Sequence, residues 1–141
     1  MLNFFKKKNK NTNIKNHLVA ALLIHAAKID DDYTSLEKEI IKKAIINLYS
    51  INSYEADKLL TIAEEKEKES NQIVEFTREI KKESIEFRLK IIEILWKIVY
   101  SDGSNDNYES NLIRRLCGLL YVSDKDSGAI KLKIEKMNKK K

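Results

Sequence analysis

The chain has 141 residues, of which 43% are hydrophobic and 35% are charged, with three Gly and no Pro. These values exclude collagen-like, Pro-rich and disulfide-scaffold proteins, and they argue against a β-sandwich, whose turns draw on Gly and Pro. The net charge of +5 is unevenly distributed: the first 15 residues hold five Lys and no acid, and the last 11 hold six Lys and one Glu. The stretch 16–130 between them carries −5.

Apolar residues at helical spacing, together with capping residues, predict an all-α fold of seven helices and no strand. The helices are expected at about residues 16–30, 35–49, 54–69, 71–81, 84–100 and 107–121, with the last beginning at Ser123. Capping boxes are predicted for Thr34 with Glu37 and for Asp106 with Glu109, and Ser53 is the predicted cap of the third helix. The length predicts a single domain over 16–137, with basic tails at 1–15, expected to be flexible, and at 138–141.

Two further features concern burial. The fifth helix is expected to be the most buried, because its polar residues form one narrow stripe of Glu86, Lys90, Glu93 and Lys97. The run of charges over 64–69 is expected to be a solvated helix end.

An internal repeat is visible at a shift of 72 positions. Asp30 then aligns with Asp102, Glu37 with Glu109 and Tyr49 with Tyr121. Each copy reads as an apolar helix, an acidic turn and a second helix. The sequence therefore predicts a duplicated helical hairpin, with a different segment between the copies.

The acidic turns are the strongest candidates for a binding site. Clustered carboxylates in a short loop suit a hard divalent cation such as calcium. The loops are not EF-hands, because Ile41 and Ile113 stand where the last, bidentate Glu is required. The same acids are also explained as helix caps and turn residues, and both interpretations stay open. The second turn is the better metal candidate, since Asp106 stands where the first turn has Thr34.

Other chemistry is sparsely represented. His17 and His25 lack a second ligand at zinc spacing, and no catalytic motif or phosphate-binding loop is present. Cys117 is the only cysteine, which favours a reducing compartment, and its place on an apolar helix face predicts a core thiol. The basic N-terminus before an apolar helix resembles a signal peptide, but His25 and the missing cleavage site argue against one. We therefore expect a cytoplasmic protein without enzymatic activity.

The N-terminal segment suggests a peripheral membrane contact. Exposed apolar residues beside several lysines dock on anionic bilayers. The alternative is a terminus that has no such role. The residues that would make the contact are Leu2, Phe4, Phe5, Lys6, Lys7 and Lys8.

Several stretches in a fixed order resemble one family, the TerB-like tellurite-resistance proteins, the domain type found also at the N-terminus of the co-chaperone DjlA. The resemblance spans about residues 17–135. Its clearest elements are Ala27-Lys28-Ile29-Asp30, Phe76-Thr77-Arg78, Trp96-Lys97-Ile98-Val99-Tyr100-Ser101-Asp102-Gly103, Leu112-Ile113-Arg114-Arg115-Leu116 and Val122-Ser123-Asp124.

The resemblance implies a compact all-helical bundle with two pseudo-repeated hairpins, and a link to tellurite or other chemical stress, often with membrane partners. It implies no catalytic activity. In the first turn Asp31 and Thr34 depart from the usual Gly and Asp of the family. By position, the residues proposed to bind a divalent metal or a partner are Asp30, Glu37, Asp102, Asp106 and Glu109.

We therefore expect a binding module that uses its acidic turns for a divalent cation or a protein partner, at or near the inner membrane surface. A homodimer is compatible with the sequence. The first alternative is a hydrolase whose acidic turns hold an activating metal. The second is nucleic-acid binding through the Lys-rich tails, although such proteins usually carry their basic residues on a folded face.

Overall fold

The computed structural model describes residues 16–28, 33–69, 73–102 and 107–139, with the backbone alone at 102, 107–110, 138 and 139. Within these ranges the chain forms helices and no strand, as the sequence predicts. The helices are α1 (16–27), α2 (Ser35–Tyr49), α3 (Ser53–Glu69), α4 (Ile73–Ile80), α5 (Ile85–Val99), α6 (Asn107–Leu120) and α7 (Asp124–Lys139), and a 3₁₀ turn (Tyr100–Asp102) follows α5.

Local hydrogen bonds explain most of the helix starts. The Oγ of Thr34 accepts a hydrogen bond from the Glu37 N–H at 3.1 Å, and Glu37 Oε1 accepts one from the Thr34 N–H at 3.1 Å. This confirms the predicted capping box of α2. Ser84 caps α5 through the Phe87 N–H, and the Ser123 Oγ accepts from the Asp126 N–H. Asp106, the predicted cap of α6, lies outside the described residues.

The predicted cap of α3 is wrong by one residue. Ser53 is the first residue of the helix, and Asn52 caps it by accepting from the Glu55 N–H at 2.8 Å. Glu55 Oε1 accepts in return from the Asn52 N–H. Asn52 has an acid three residues later, whereas Ser53 has Ala56 there, so the capping-box spacing favours Asn52. The last helix, α7, ends at Lys139.

The expectation that the fifth helix is the most buried is also wrong. The run 19–24 of α1 is at most 2% exposed at every position, whereas the first six residues of α5 include no buried residue and Lys97 of α5 is exposed. Four alanines in α1, at 20, 21, 26 and 27, have small side chains that allow neighbouring helices to pack close to α1 on several sides. α5 is nevertheless central, because it packs against α2, α6 and α7.

Polar side chains fasten α5 to the C-terminal helices. The Trp96 Nε1–H donates to Ser127 Oγ of α7 at 3.1 Å, in a buried position. The Arg88 Nη1–H donates to the carbonyls of Leu120 and Tyr121 at the end of α6. Cys117 is 1% exposed and is part of this core, as predicted.

Candidate functional site

The first acidic turn joins α1 to α2. Its residues Asp30, Asp31 and Asp32 lie outside the described part of the chain, whereas Tyr33, Thr34 and Glu37 lie within it. Glu37 is 7% exposed, and its Oε1 accepts from both the N–H and the Oγ–H of Thr34, at 3.1 and 3.0 Å. The structural role that the sequence allowed for Glu37 is therefore present.

Two carboxylates from the end of α3 flank this turn. Glu67 Oε2 lies 2.8 Å from Lys28 Nζ, and Glu67 Oε1 lies 3.3 Å from His25 Nδ1. Glu64 Oε1 lies 3.2 Å from Lys38 Nζ and 3.5 Å from the Tyr33 hydroxyl. These contacts join α1, the turn, α2 and α3 in one polar network.

The interpretation of 64–69 as a solvated helix end is wrong for two of its residues. The side chains of Glu64 and Glu67 are 26% and 11% exposed, whereas Glu65 and Glu69 face solvent. Glu64 and Glu67 follow Leu60 on the buried face of α3 at helical spacing. That spacing could have indicated that Glu64 and Glu67 lie on the buried face. Their partners could not be predicted, because they come from helices that are distant in sequence.

The charge around the first turn acts on Tyr33. Burial raises the pKa of the Tyr33 hydroxyl, and the negative charges of Glu64, Glu37 and Glu67 raise it further. The phenol is therefore neutral and serves as a hydrogen-bond donor to Glu64. Carboxylates converge here, and Lys28 and Lys38 supply compensating positive charge.

The second acidic turn joins α5 to α6. Asp102 ends the 3₁₀ turn and Glu109 lies in the first turn of α6, but only their backbones are described, and Asp106 falls outside the described residues. The backbones of Asp102 and Glu109 therefore lie on either side of the undescribed residues 103–106. Within the described residues, no group of three His, Cys, Asp or Glu side chains is arranged to hold a metal ion.

Comparison with known proteins identifies the family. Residues 16–132 match the family model described as tellurite resistance protein TerB. The chain belongs to the TerB family. The matched range covers both hairpins and both acidic turns. Comparisons with curated proteins and with solved structures give no match.

The two histidines and the cysteine of this TerB domain are in contact with, or partly buried among, other residues of the bundle. The ring of His25 lies 6.1 Å from that of Phe76, in addition to its contact with Glu67. Burial lowers the pKa of His17, and the charge of Lys66 lowers it further. Burial raises the pKa of the Cys117 thiol, so the residue is a poor nucleophile at neutral pH.

The residues expected to contact a membrane precede the described part of the TerB domain. Leu2, Phe4, Phe5, Lys6, Lys7 and Lys8 all fall in the stretch 1–15. Among the described helices, none combines the length and the apolar character needed to cross a bilayer.

Proposed function

We propose that this TerB-family chain is a non-enzymatic binding module of the response to tellurite or related chemical stress, and that it binds a divalent cation such as calcium at the second acidic turn. The repeated acid pattern carries the proposal. Asp102 and Glu109 repeat Asp30 and Glu37 at a shift of 72, within the range that matches the family. Oxygen ligands clustered in a short loop suit calcium chemistry.

The contacts of the first turn support the choice of the second turn. In the first turn Lys28 and Lys38 pair with the carboxylates that flank it. The corresponding positions of the second copy are Tyr100 and Ser110, which carry no positive charge. Asp106 also adds a carboxylate where the first copy has Thr34. The second turn thus has a carboxylate where the first has a hydroxyl, and it has no lysine at the two positions that form ion pairs in the first copy, which favours a cation there.

Thermal unfolding of the full-length protein with calcium, magnesium, zinc or manganese tests the cation site. A ligand at 100 times its Kd adds about 2.7 kcal/mol, which raises Tm by roughly 5–11 °C for a domain of this size. We expect such a shift with one cation, and we expect Asp102→Asn/Asp106→Asn to remove it.

Asp124→Asn/Asp126→Asn is the control for the loss of two negative charges, because these two acids lie away from the second acidic turn, in the first turn of α7. It changes the net charge by the same amount. The control should keep the full cation-dependent shift. If no cation raises Tm, or if both double variants lose the shift equally, the second turn is not the site.

We further propose that the module works at the inner membrane surface through its N-terminal segment. Lys residues near an anionic surface contribute about 1 kcal/mol each, and inserted aromatic side chains add to this. Full-length protein should sediment with vesicles that contain anionic lipid and not with zwitterionic vesicles. Phe4→Ser/Phe5→Ser should weaken sedimentation, whereas equal sedimentation of the variant would exclude insertion of these rings.

A further inference from the structure

A groove separates the outer faces of α2 and α5. Its volume is about 450 Å³, within the range of ligand-binding clefts. Ile40, Ala44 and Leu48 of α2, together with Ile94 of α5, form its apolar floor. The three α2 residues follow one another at a spacing of four and so lie on one stripe of the helix.

The apolar stripe continues beyond the groove. Leu36, one turn before Ile40, is 55% exposed. From Leu36 to Leu48 the stripe spans about 18 Å at 1.5 Å per residue. A helix of about 12 residues laid along α2 would cover that length.

The rim of the groove is basic. Lys43, Lys90 and Lys97 line it and are exposed to solvent. The one acid of the lining, Glu93, is already paired, since its Oε1 lies 3.8 Å from Lys97 Nζ and 3.6 Å from Lys133 Nζ. The stretch 16–130 as a whole has a net charge of −5. The charge of the groove rim is therefore opposite in sign to the net charge of this stretch.

We propose that the α2–α5 groove, defined by this floor and rim, binds an amphipathic helix of a partner protein with an apolar ridge flanked by Asp and Glu. The floor offers a stripe that matches the i, i+4 ridge of such a helix, and the lysines match acids on its flanks. Nucleic acid does not account for the apolar floor. A recessed floor between two helices also does not suit a flat bilayer. This surface is separate from the cation site and goes beyond the proposed function.

Isothermal titration calorimetry of the full-length protein in EDTA tests the groove, and EDTA keeps the result independent of the cation site. The probe is a synthetic peptide of about 16 residues, with Leu along one helical face and Glu on both flanks. A scrambled peptide of the same composition is the control. We expect the amphipathic peptide to bind at least about tenfold more tightly than the scrambled one.

Charge reversal then locates the binding. Lys43→Glu/Lys90→Glu/Lys97→Glu should lower the affinity for the amphipathic peptide by about tenfold or more. The matched control changes three exposed lysines elsewhere: Lys58→Glu/Lys68→Glu/Lys125→Glu. This control should bind nearly as tightly as the original protein, although its net charge changes equally. When the peptide is added to the unsubstituted protein, the changes in backbone NMR chemical shift should cluster at residues 36–48 and 90–97. This measurement does not depend on the folding of any variant.

Several results would overturn the proposal. Equal loss in both triple variants would assign the binding to overall charge, including the Lys-rich tails. Equal affinity of the scrambled peptide would remove the role of the apolar floor. A dimer that the groove variant alone disrupts, without binding of the peptide, would make a second copy of this chain the occupant.

Discussion

At the first turn, one carboxylate oxygen serves both the backbone and the side chain of a single residue. Glu37 Oε1 accepts the N–H and the Oγ–H of Thr34, in a position only 7% exposed. Asn52 and Glu55 form the same kind of box at α3, but on the surface. Burial makes an unpaired polar group costly, so the two boxes should differ in their effect on stability.

Thr34→Ala should cost about 1–2 kcal/mol, because it removes the cap oxygen and leaves buried groups with fewer partners. Asn52→Ala should cost about 0.5–1 kcal/mol, because water replaces the lost bonds at an exposed helix end. Urea unfolding with an unchanged m-value measures both. If the Asn52 variant is the less stable of the two, burial does not increase the contribution of the first capping box to stability.

At the level of elements, the end of α6 is held by a side chain of α5. Tyr121 has a φ of 57°, and the chain turns there so that the Val122 N–H donates to the Cys117 carbonyl at 2.9 Å. Arg88 Nη1 lies 2.9 Å from the Leu120 carbonyl oxygen and 3.1 Å from that of Tyr121. The guanidinium thus donates hydrogen bonds to carbonyls at the helix end, which have no N–H donor within the helix.

Arg88→Lys should cost about 1–3 kcal/mol, since the ammonium lacks the planar fork that reaches several carbonyls at once. Arg115→Lys, on the exposed side of α6, is the control and should change the free energy of unfolding by less than about 0.5 kcal/mol. Chemical denaturation of both variants gives the comparison. Equal, small effects would show that these hydrogen bonds contribute nothing to holding α6.

The helices themselves could be predicted because their signals are local. Thr34, Ser84 and Ser123 each bond to a backbone N–H three residues later. The polar network at the first turn could not be predicted, because it depends on residues of α3 meeting α1 about forty positions earlier. The burial of α1 and the groove beside α5 also depend on helix packing. The side chains of the second turn remain a prediction.

On the scale of the whole molecule, a half-buried histidine couples stability to pH. His17 has a pKa below its ordinary value of 6.5, through burial first and the charge of Lys66 second. As pH falls, the unfolded chain therefore takes up the proton before the folded chain does. The stabilisation is complete above about pH 6.5 and decreases as pH falls from there toward the folded-state pKa.

The chain should therefore lose more stability between about pH 7.5 and about pH 5.5 than a His17→Gln variant does. All other titratable groups are common to both proteins, so the difference between the two isolates His17. Urea unfolding at each pH provides the measurement. A parallel loss in both would show that the environment of His17 does not disfavour its charged form.

The Trp96–Ser127 hydrogen bond has a spectroscopic consequence. Trp96 is the only tryptophan in the chain, and it sits between α5 and α7, with Tyr100 stacked at 6.0 Å and Lys131 Nζ 5.3 Å from its ring. Its emission therefore records one event, the separation of α7 from the rest of the bundle, whereas circular dichroism averages all the helices. Whenever α7 detaches before the hairpins unfold, the emission maximum shifts to the red while the ellipticity is still close to native.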